Sequence, residues 1–166
     1  MDKERIEGFR KAFEPGETLI WQIPDREKER LEFYQEKFSE LLGSKITAIF
    51  AVSDYYALEF MRFLQGKGIR IPEDMQIIGF DDNMASRESN PALTTIHQDA
   101  ALRAKTAIEC IEAMRDGKNC EAGIVLPVEL IKRKSTRKLF SDFFCSDWRS
   151  KYSGRNIDCA VYRSKR

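Results

Sequence analysis

The apolar residues of this chain follow two spacings, one typical of amphipathic helices and the other typical of buried strands. Near the start, Ile6, Phe9 and Phe13 recur at helical spacing. The pattern stops before Pro15, so residues 2–14 are predicted to form an amphipathic helix. Short runs with few or no charges indicate strands that are covered on both faces, as in a parallel sheet. The strands predicted in this way are TLIWQI, ITAIFAV, QIIGF, TTI and IVLPVELI.

Helical segments are predicted between these strands. Asp25 can cap a long helix that ends at Gly43. The apolar face of that helix is formed by Leu31, Tyr34, Phe38 and Leu41. Further helices are predicted over residues 53–68 and about 99–116. Helices of this length between consecutive strands imply right-handed crossovers, so we predict a three-layer α/β fold in which all strands of a parallel sheet point the same way.

Polar residues follow the predicted strands at the points where the strands end. The segment QIIGFDDN, residues 76–83, runs directly into Asp81 and Asp82, and Ser53 follows an earlier strand. Ligands of open parallel sheets bind beyond the carboxyl ends of the strands, so these ends could share one ligand. The alternative is that the two acids only form a turn, since Asp and Asn are common turn and cap residues.

Composition narrows the class of protein. The chain has 166 residues, of which 42% are hydrophobic and 33% charged, as in one ordinary globular domain. The charged opening is unlike a signal peptide, and no apolar run approaches the roughly 18 residues of a membrane span. The cysteines, Cys110, Cys120, Cys145 and Cys159, form no CxxC pair, which argues against a zinc or redox motif. These features predict a cytoplasmic protein.

Charge is distributed unevenly along the chain. Residues 1–131 carry 17 basic against 24 acidic side chains, whereas residues 132–166 carry 11 against 3, for net charges of −7 and +8. A basic end can attract nucleic acid, but a solvated end is the commoner meaning of such a run. Residues 139–166 form an atypical basic, aromatic tail that we expect to be poorly ordered. Its aromatic residues could instead cover an exposed face; they include Phe140, Phe143, Phe144 and Trp148.

Five phrases also resemble successive landmarks of the lactose/galactose repressor (LacI/GalR) family, in the same order. They are RIEGFRKAF, AIFAVSDYYAL, GIRIPEDMQIIGFDDN, NPALTTIHQD and LPVELIKRKST, and together they span residues 3 to about 137. The resemblance implies the effector-binding domain of a bacterial transcription regulator. Such a domain is similar to type I periplasmic sugar-binding proteins, in which two lobes close on a sugar or a related small polar molecule.

The resemblance begins inside the second lobe of that domain. Residues 1–138 are therefore expected to be the C-terminal part of the effector-binding domain, with residues 98–126 crossing toward the first lobe. DNA would be bound only through a helix-turn-helix domain that is absent from this chain. The strand that normally precedes the first helix is also not found, so the sheet is expected to be short by a strand.

The resemblance implies ligand contacts at several positions. Asp81 matches the position that accepts hydrogen bonds from effector hydroxyl or amine groups. Ser53 stands where many members have an Asn that binds the ligand. Arg5 and Lys3 fall near ligand-facing basic positions, although a charged side chain on a first helical turn is more often solvated. Trp21 could supply an apolar platform for the ligand or be a core residue.

Other polar residues are expected to have structural roles. Asp82 should be a turn residue, Asp54 a helix cap, and His97, the only histidine, a hinge or surface residue. We expect no catalysis, metal or cofactor, because the chain has no GxSxG context and adjacent acids in a strand face opposite sides. The alternatives are a periplasmic-type sugar-binding protein and a Mg²⁺-dependent phosphoacceptor or enzyme of α/β fold.

The resemblance finally implies a homodimer. Its contacts in the family come from the helix after VSD and the loop after GFDD, here residues 55–63 and 84–88. The predicted interface residues are Tyr55, Tyr56, Phe60, Phe63 and Met84. Tyr56, Phe60 and Phe63 together present more apolar surface than one face of a helix is expected to bury within the chain. This favours a dimer.

Overall fold

The computed structural model of the chain describes residues 2–12, 18–44, 46–119, 123–137 and 158–162. In chain order the elements are α1 (Asp2–Ala12), β1 (Thr18–Gln22), α2 (Glu27–Gly43), β2 (Ala48–Ala51), α3 (Asp54–Gly66), β3 (Gln76–Asp81), α4 (Met84–Glu88), β4 (Thr94–Gln98), α5 (Ala100–Arg115), β5 (Val128–Ile131) and β6 (Asp158–Tyr162). None of the helices in these ranges is long and apolar enough to cross a membrane.

The strands form one six-stranded sheet in the order β1-β6-β2-β3-β4-β5. Strand β3 lies parallel to both β2 and β4, which places the carboxyl ends of these three strands at one edge. Strand β5 pairs antiparallel with β4, and β6 pairs antiparallel with both β1 and β2. The predicted α/β class is confirmed, but β5 and β6 are exceptions to the expectation that all strands point the same way.

Apolar side chains cover both faces of the sheet. One cluster contains Ile49 and Ile77 and is packed by α2 and α3. The other contains the neighbouring residues Phe50 and Ile78 and lies under α1. Successive strand residues point to opposite faces, so an unbroken apolar run supplies both clusters at once. The apolar runs therefore correctly indicated a sheet that is buried on two sides.

Helix α2 departs from its predicted apolar face at one turn. Tyr34 and Leu41 are buried as expected, but Leu31 is 53% exposed and its neighbour Arg30 is buried. The Arg30 guanidinium donates to Glu59 at 2.7 Å and to the Tyr55 hydroxyl at 3.0 Å. An ion pair to α3 thus rotates the buried stripe by one residue.

The start of α2 also differs from its predicted cap. The residue before the first turn is Arg26, which makes no side-chain capping bond. Asp25 contributes its backbone carbonyl instead, which accepts a hydrogen bond from the Arg30 Nη1 at 2.5 Å. Asp25 therefore helps to hold Arg30 but does not cap the helix.

The tail contributes a strand that the sequence did not indicate. Residues 158–162 form β6 in the middle of the sheet, so the expected poor order is wrong for this segment. The remainder of the tail, including its aromatic residues Phe140, Phe143, Phe144 and Trp148, lies outside the described residues. Because β6 occupies the position between β1 and β2, the sheet is not short by a strand.

Candidate functional site

The turn after β3 separates the two adjacent acids. Asp81 and Asp82 have backbone φ angles of 117° and 54°, and residues other than glycine rarely adopt positive φ angles. This turn sends the Asp81 carboxylate toward β4, where its Oδ1 accepts a hydrogen bond from Gln98 at 2.8 Å. Asp82 lies in a separate cluster of basic side chains. The two carboxylates therefore have different partners, which argues against a shared Mg²⁺ site of the phosphoacceptor kind.

Asp81 lies in a mixed electrostatic environment. Desolvation by the surrounding protein raises the pKa of Asp81, although part of the residue remains exposed. The positive charge of Arg5 and hydrogen bonds from Ser53 and Gln98 oppose this shift. The structure thus brings together three residues that the resemblance named separately, because the ends of β2 and β3 and the first helix meet at one edge of the sheet.

Arg5 is held in a defined position by α1. The residue is only 9% exposed, its Nη1 donates to the Val52 carbonyl at 2.5 Å, and its guanidinium carbon lies 3.7 Å from the centroid of the Phe80 ring. A guanidinium at this distance from an aromatic face is attracted by the ring quadrupole. Arg5 is therefore not the solvated first-turn residue of the alternative interpretation. Lys3, in contrast, is exposed.

A cavity of about 130 Å³ opens beside these residues. Its polar groups come from Arg5, Gln98, Asp99 and Arg103, and its apolar wall from Phe80, Leu102 and residues 124–128. Asp99 is the N-cap of α5, the helix predicted from about residue 99, and it accepts the Leu102 backbone N–H at 2.9 Å. Asp81 adjoins the cavity through its hydrogen bond to Gln98.

Asp82 lies in a partly buried cluster of charged side chains. Its side chain is 5% exposed and bonds to Arg133 at 2.5 Å, to Arg87 at 2.8 Å and to the His97 Nδ1 at 3.0 Å. Burial acts to raise the pKa of Asp82, but hydrogen bonds and charges from Arg133 and Arg87 outweigh it and lower the pKa. Asp82 is a turn residue, as predicted, and it also ties β3 to the segment after β5. Within the described ranges, no group of three potential metal ligands comes together.

Asp54 has a structural role that its position in the sequence did not predict. The N-cap of α3 is Ser53, whose Oγ accepts the Tyr55 backbone N–H at 3.3 Å, so the expected cap at Asp54 is wrong. Asp54 is fully buried, and its carboxylate accepts the Asn83 backbone N–H at 3.0 Å and the Thr95 hydroxyl at 2.5 Å. Burial raises the pKa of Asp54 against these hydrogen bonds.

A glycine in strand β3 is the sequence feature that relates to the buried carboxylate of Asp54. Gly79 is the one residue of QIIGF without a side chain, and a Cβ built there would lie 2.2 Å from the Asp54 Oδ1. The glycine makes room for the buried carboxylate. A glycine inside an otherwise bulky strand can thus point to a close neighbour, although it cannot identify that neighbour.

Trp21, a predicted ligand contact, and Phe60, a predicted interface residue, lie in the core of the chain. Trp21 is 4% exposed and packs edge-on against Phe33 and Phe60, with ring centroids 5.9 Å apart in each case, in agreement with the core alternative. Phe60 is itself 2% exposed, so it is buried within the chain and is not available to a partner subunit.

The remaining predicted interface residues divide into two groups. Tyr56 and Phe63 are half-buried and pack on the core formed by α2 and α3. Tyr55 and Met84 are 55% and 72% exposed. The chain itself buries most of the surface of Tyr56, Phe60 and Phe63, so the expectation that one helix face cannot bury it is wrong.

Comparisons with known proteins agree with this architecture. Residues 2–136 match the sequence model of the family described as periplasmic binding protein-like domain. The HTH-type transcriptional repressor PurR of Haemophilus influenzae is 37% identical over 145 residues, covering 82% of this chain and 43% of that protein. The HTH-type transcriptional regulator DegA of Bacillus subtilis is 36% identical over 148 residues, covering 83% and 42%.

Solved structures of the lac repressor have a similar fold. A lac repressor dimer bound to operator and the anti-inducer ONPF is 33% identical with a TM-score of 0.56, covering 62% of this chain and 36% of that chain. This chain spans less than half the length of the curated relatives that it matches.

Proposed function

Because the chain belongs to the periplasmic-binding-protein-like domains of the LacI/GalR family, we propose that it is the part of a transcription regulator that binds a sugar or a related small polar effector. The proposal gives the chain no catalytic role. Its relatives are named as transcriptional repressors and regulators, so the effector would act by changing how the complete regulator binds DNA. DNA recognition would belong to a helix-turn-helix part of that regulator.

One arrangement carries the proposal, the convergence of Arg5, Asp81 and Gln98 beside an apolar-walled cavity. A carboxylate accepts hydrogen bonds from hydroxyl groups, a guanidinium donates to their oxygens, and an amide does both. The apolar wall at residues 124–128 and the Phe80 ring suit the carbon skeleton of such a ligand. This combination of a few fixed polar groups with an apolar surface is the usual composition of a small-molecule site.

The volume of the cavity also affects how tightly the chain by itself can bind an effector. Ligand pockets usually measure about 300–1,000 Å³, and the cavity of about 130 Å³ is well below that range. We therefore propose that these residues supply one side of the site, so that the chain by itself binds its effector with a Kd in the millimolar range. A second lobe would bury the rest of the ligand and would tighten binding, about tenfold for each 1.4 kcal/mol gained.

Calorimetry of the chain against sugars, sugar phosphates and nucleobases tests the proposal. We expect one chemical class to bind, and Asp81→Asn to weaken that binding by roughly tenfold, since it replaces an acceptor oxygen by a donor. Arg5→Lys should also weaken it, because an ammonium group cannot reproduce the planar stacking on Phe80. Asp116→Asn, at the C-cap of α5, is the control and should leave affinity unchanged. Absence of binding by every class at millimolar concentration would contradict the proposal.

Subunit association is the second element of the proposal. The lac repressor structure with a similar fold is a dimer, and Tyr55 and Met84 remain the exposed members of the predicted interface. We propose that this surface, on the first turns of α3 and α4, contacts a second copy of the chain.

A further inference from the structure

Strand β6 lies inside the sheet and is paired along both edges. Residues 158–162 pair with β1 from Gln22 back to Thr18, and residues 159–162 pair with β2 from Ala51 back to Ala48. Ala160, for example, lies opposite Ile20 on one side and opposite Phe50 on the other. Because each backbone N–H of an interior strand is bonded to one neighbour or the other, β6 contributes to two ladders at once.

The space that β6 fills is set by its two neighbours. Both β1 and β2 run antiparallel to β6, so they run parallel to each other and lie two strand spacings apart, about 9.5 Å. Helix α2 connects β1 to β2 along the chain, and the two strands are separated in the sheet by a gap that is one strand wide. All four residues of β2 are buried. Without a strand in the gap, the backbone N–H and C=O groups along its edges would lose their hydrogen-bond partners, at about 1–3 kcal/mol for each buried group.

The filling strand does not come from the alternating part of the fold. Strands β2, β3 and β4 are parallel and joined through helices, whereas β6 enters in the opposite direction and comes from the last described segment of the chain. In the sequence, residues 138–157 lie between β6 and the preceding described range, which ends at residue 137. None of the described helices joins β6 to a neighbouring strand, so removing β6 from its position would break none of the described crossovers. Insertion of an extended segment into a sheet is one of the known modes of strand addition in peptide recognition.

We propose that the slot between β1 and β2 is a binding site for an extended peptide strand, and that residues 158–162 of the same chain are its ligand. Recognition is mainly through backbone hydrogen bonds along Thr18–Gln22 and Ala48–Ala51. The segment DCAVY suits the role, since it contains no proline and ends in Val161 and Tyr162, residue types that favour strands. The proposal is independent of effector binding, because it concerns backbone pairing in the middle of the sheet.

Disulfide trapping tests where the segment lies. Ala51 is opposite Cys159 in the register, whereas Ala48 is opposite Tyr162. Under mild oxidation, Ala51→Cys in the full chain should form a disulfide with Cys159 within one chain, detectable by non-reducing peptide mapping. Ala48→Cys is the matched control and should not link to Cys159. Failure of the Ala51→Cys link, or a link only between two chains, would overturn the assignment.

Hydrogen exchange tests whether the slot binds a strand. Ala160→Pro removes a ladder donor from the interior strand, whereas Ala160→Ser keeps it. We expect the proline variant alone to exchange at least about tenfold faster at the amides of β1 and β2, with protection retained between β3 and β4. A peptide with the sequence of residues 156–164 should restore that protection in the proline variant, and a scrambled peptide should not. Unchanged exchange in Ala160→Pro, or no rescue by the native peptide, would refute the proposal.

Discussion

The buried carboxylate of Asp54 accepts the backbone N–H of Asn83 at a distance of 3.0 Å. This bond fixes the residue that follows the two acids at the end of β3, and the Thr95 hydroxyl on the neighbouring strand holds the other carboxylate oxygen at 2.5 Å. The turn at Asp81 and Asp82 has an unfavourable backbone conformation, which persists only where the surroundings impose it. Asp54 therefore holds the turn that positions Asp81 in the candidate effector site.

Asp54→Asn should destabilise the fold. An amide can accept only through its oxygen, so one of the two donors, the Asn83 N–H or the Thr95 hydroxyl, loses its partner. We expect a loss of about 1–3 kcal/mol in the free energy of unfolding, measured by urea titration near neutral pH. Asp116→Asn, on an exposed residue, should leave the unfolding midpoint in place. Equal midpoints for Asp54→Asn and wild type would show that the buried hydrogen bonds contribute little.

Gly79→Ala should destabilise the same region by a steric route. The added Cβ would lie 2.2 Å from the Asp54 Oδ1 and 2.9 Å from the Leu93 Cδ2, so the strand or the acid has to move. Overpacking of this kind typically costs about 1–3 kcal/mol. Gly66→Ala, at the last residue of α3 with nothing within 4 Å of its added Cβ, should be neutral or slightly stabilising. Thermal unfolding of both variants measures the contrast, and a Gly79→Ala protein as stable as wild type would contradict it.

Asp82 should contribute to the pH dependence of stability. Its pKa is lower in the folded protein than the value of about 3.9 for an unfolded Asp. Its stabilising contribution is therefore present above the unfolded pKa and is lost as the pH falls through the folded pKa. Asp54 acts with the opposite sign, because its raised pKa means that protonation favours the folded state.

Asp82→Asn isolates the first of these effects. Near neutral pH the variant should be less stable than wild type by about 1.5–3 kcal/mol, since Arg133 and Arg87 lose a charged acceptor. The difference should shrink as the pH falls below about 4, where wild type also loses that charge. Urea midpoints between neutral and acid pH give the two curves. A difference that stays constant over this range would argue that the Asp82 charge is not the cause.

Met84→Asp should shift the chain from dimer to monomer. Met84 is 72% exposed, and an aspartate placed in an apolar contact with a second subunit would be desolvated without a partner. Ile111→Asp is the matched control, because Ile111 is 66% exposed on α5, outside the proposed interface. Sedimentation at tens of micromolar should show a dimer for wild type and for the control. A wild-type monomer of 19.3 kDa would contradict the proposed association.

The sequence by itself determined the local elements of this protein and hence its α/β class. The periodicities that predict a helix or a strand extend over a few residues, so they are fully contained in short segments. Helix ends were only partly readable. The helices predicted to begin at about Asp99 and to end at Gly68 do so, with Asp99 as the N-cap of α5 and Gly68 at a φ of 80°, but the caps predicted at Asp25 and Asp54 are wrong. The phrases shared with the LacI/GalR family added the positions of Arg5 and Asp81, which the structure brings to one edge of the sheet.

Only the tertiary structure decided which neighbouring residue is buried and which strands pair. Arg30 replaces Leu31 in the interior because Glu59, on another helix, pairs with it. Asp54 is a buried acceptor and not a cap, because Asn83 and Thr95 reach it from elements that lie far along the chain. Strand β6 pairs with β1 and β2, which lie more than 100 residues earlier in the chain. In each case the stabilising partner is distant in sequence, and a local pattern records the spacing of residues but not the partner that folding brings to them.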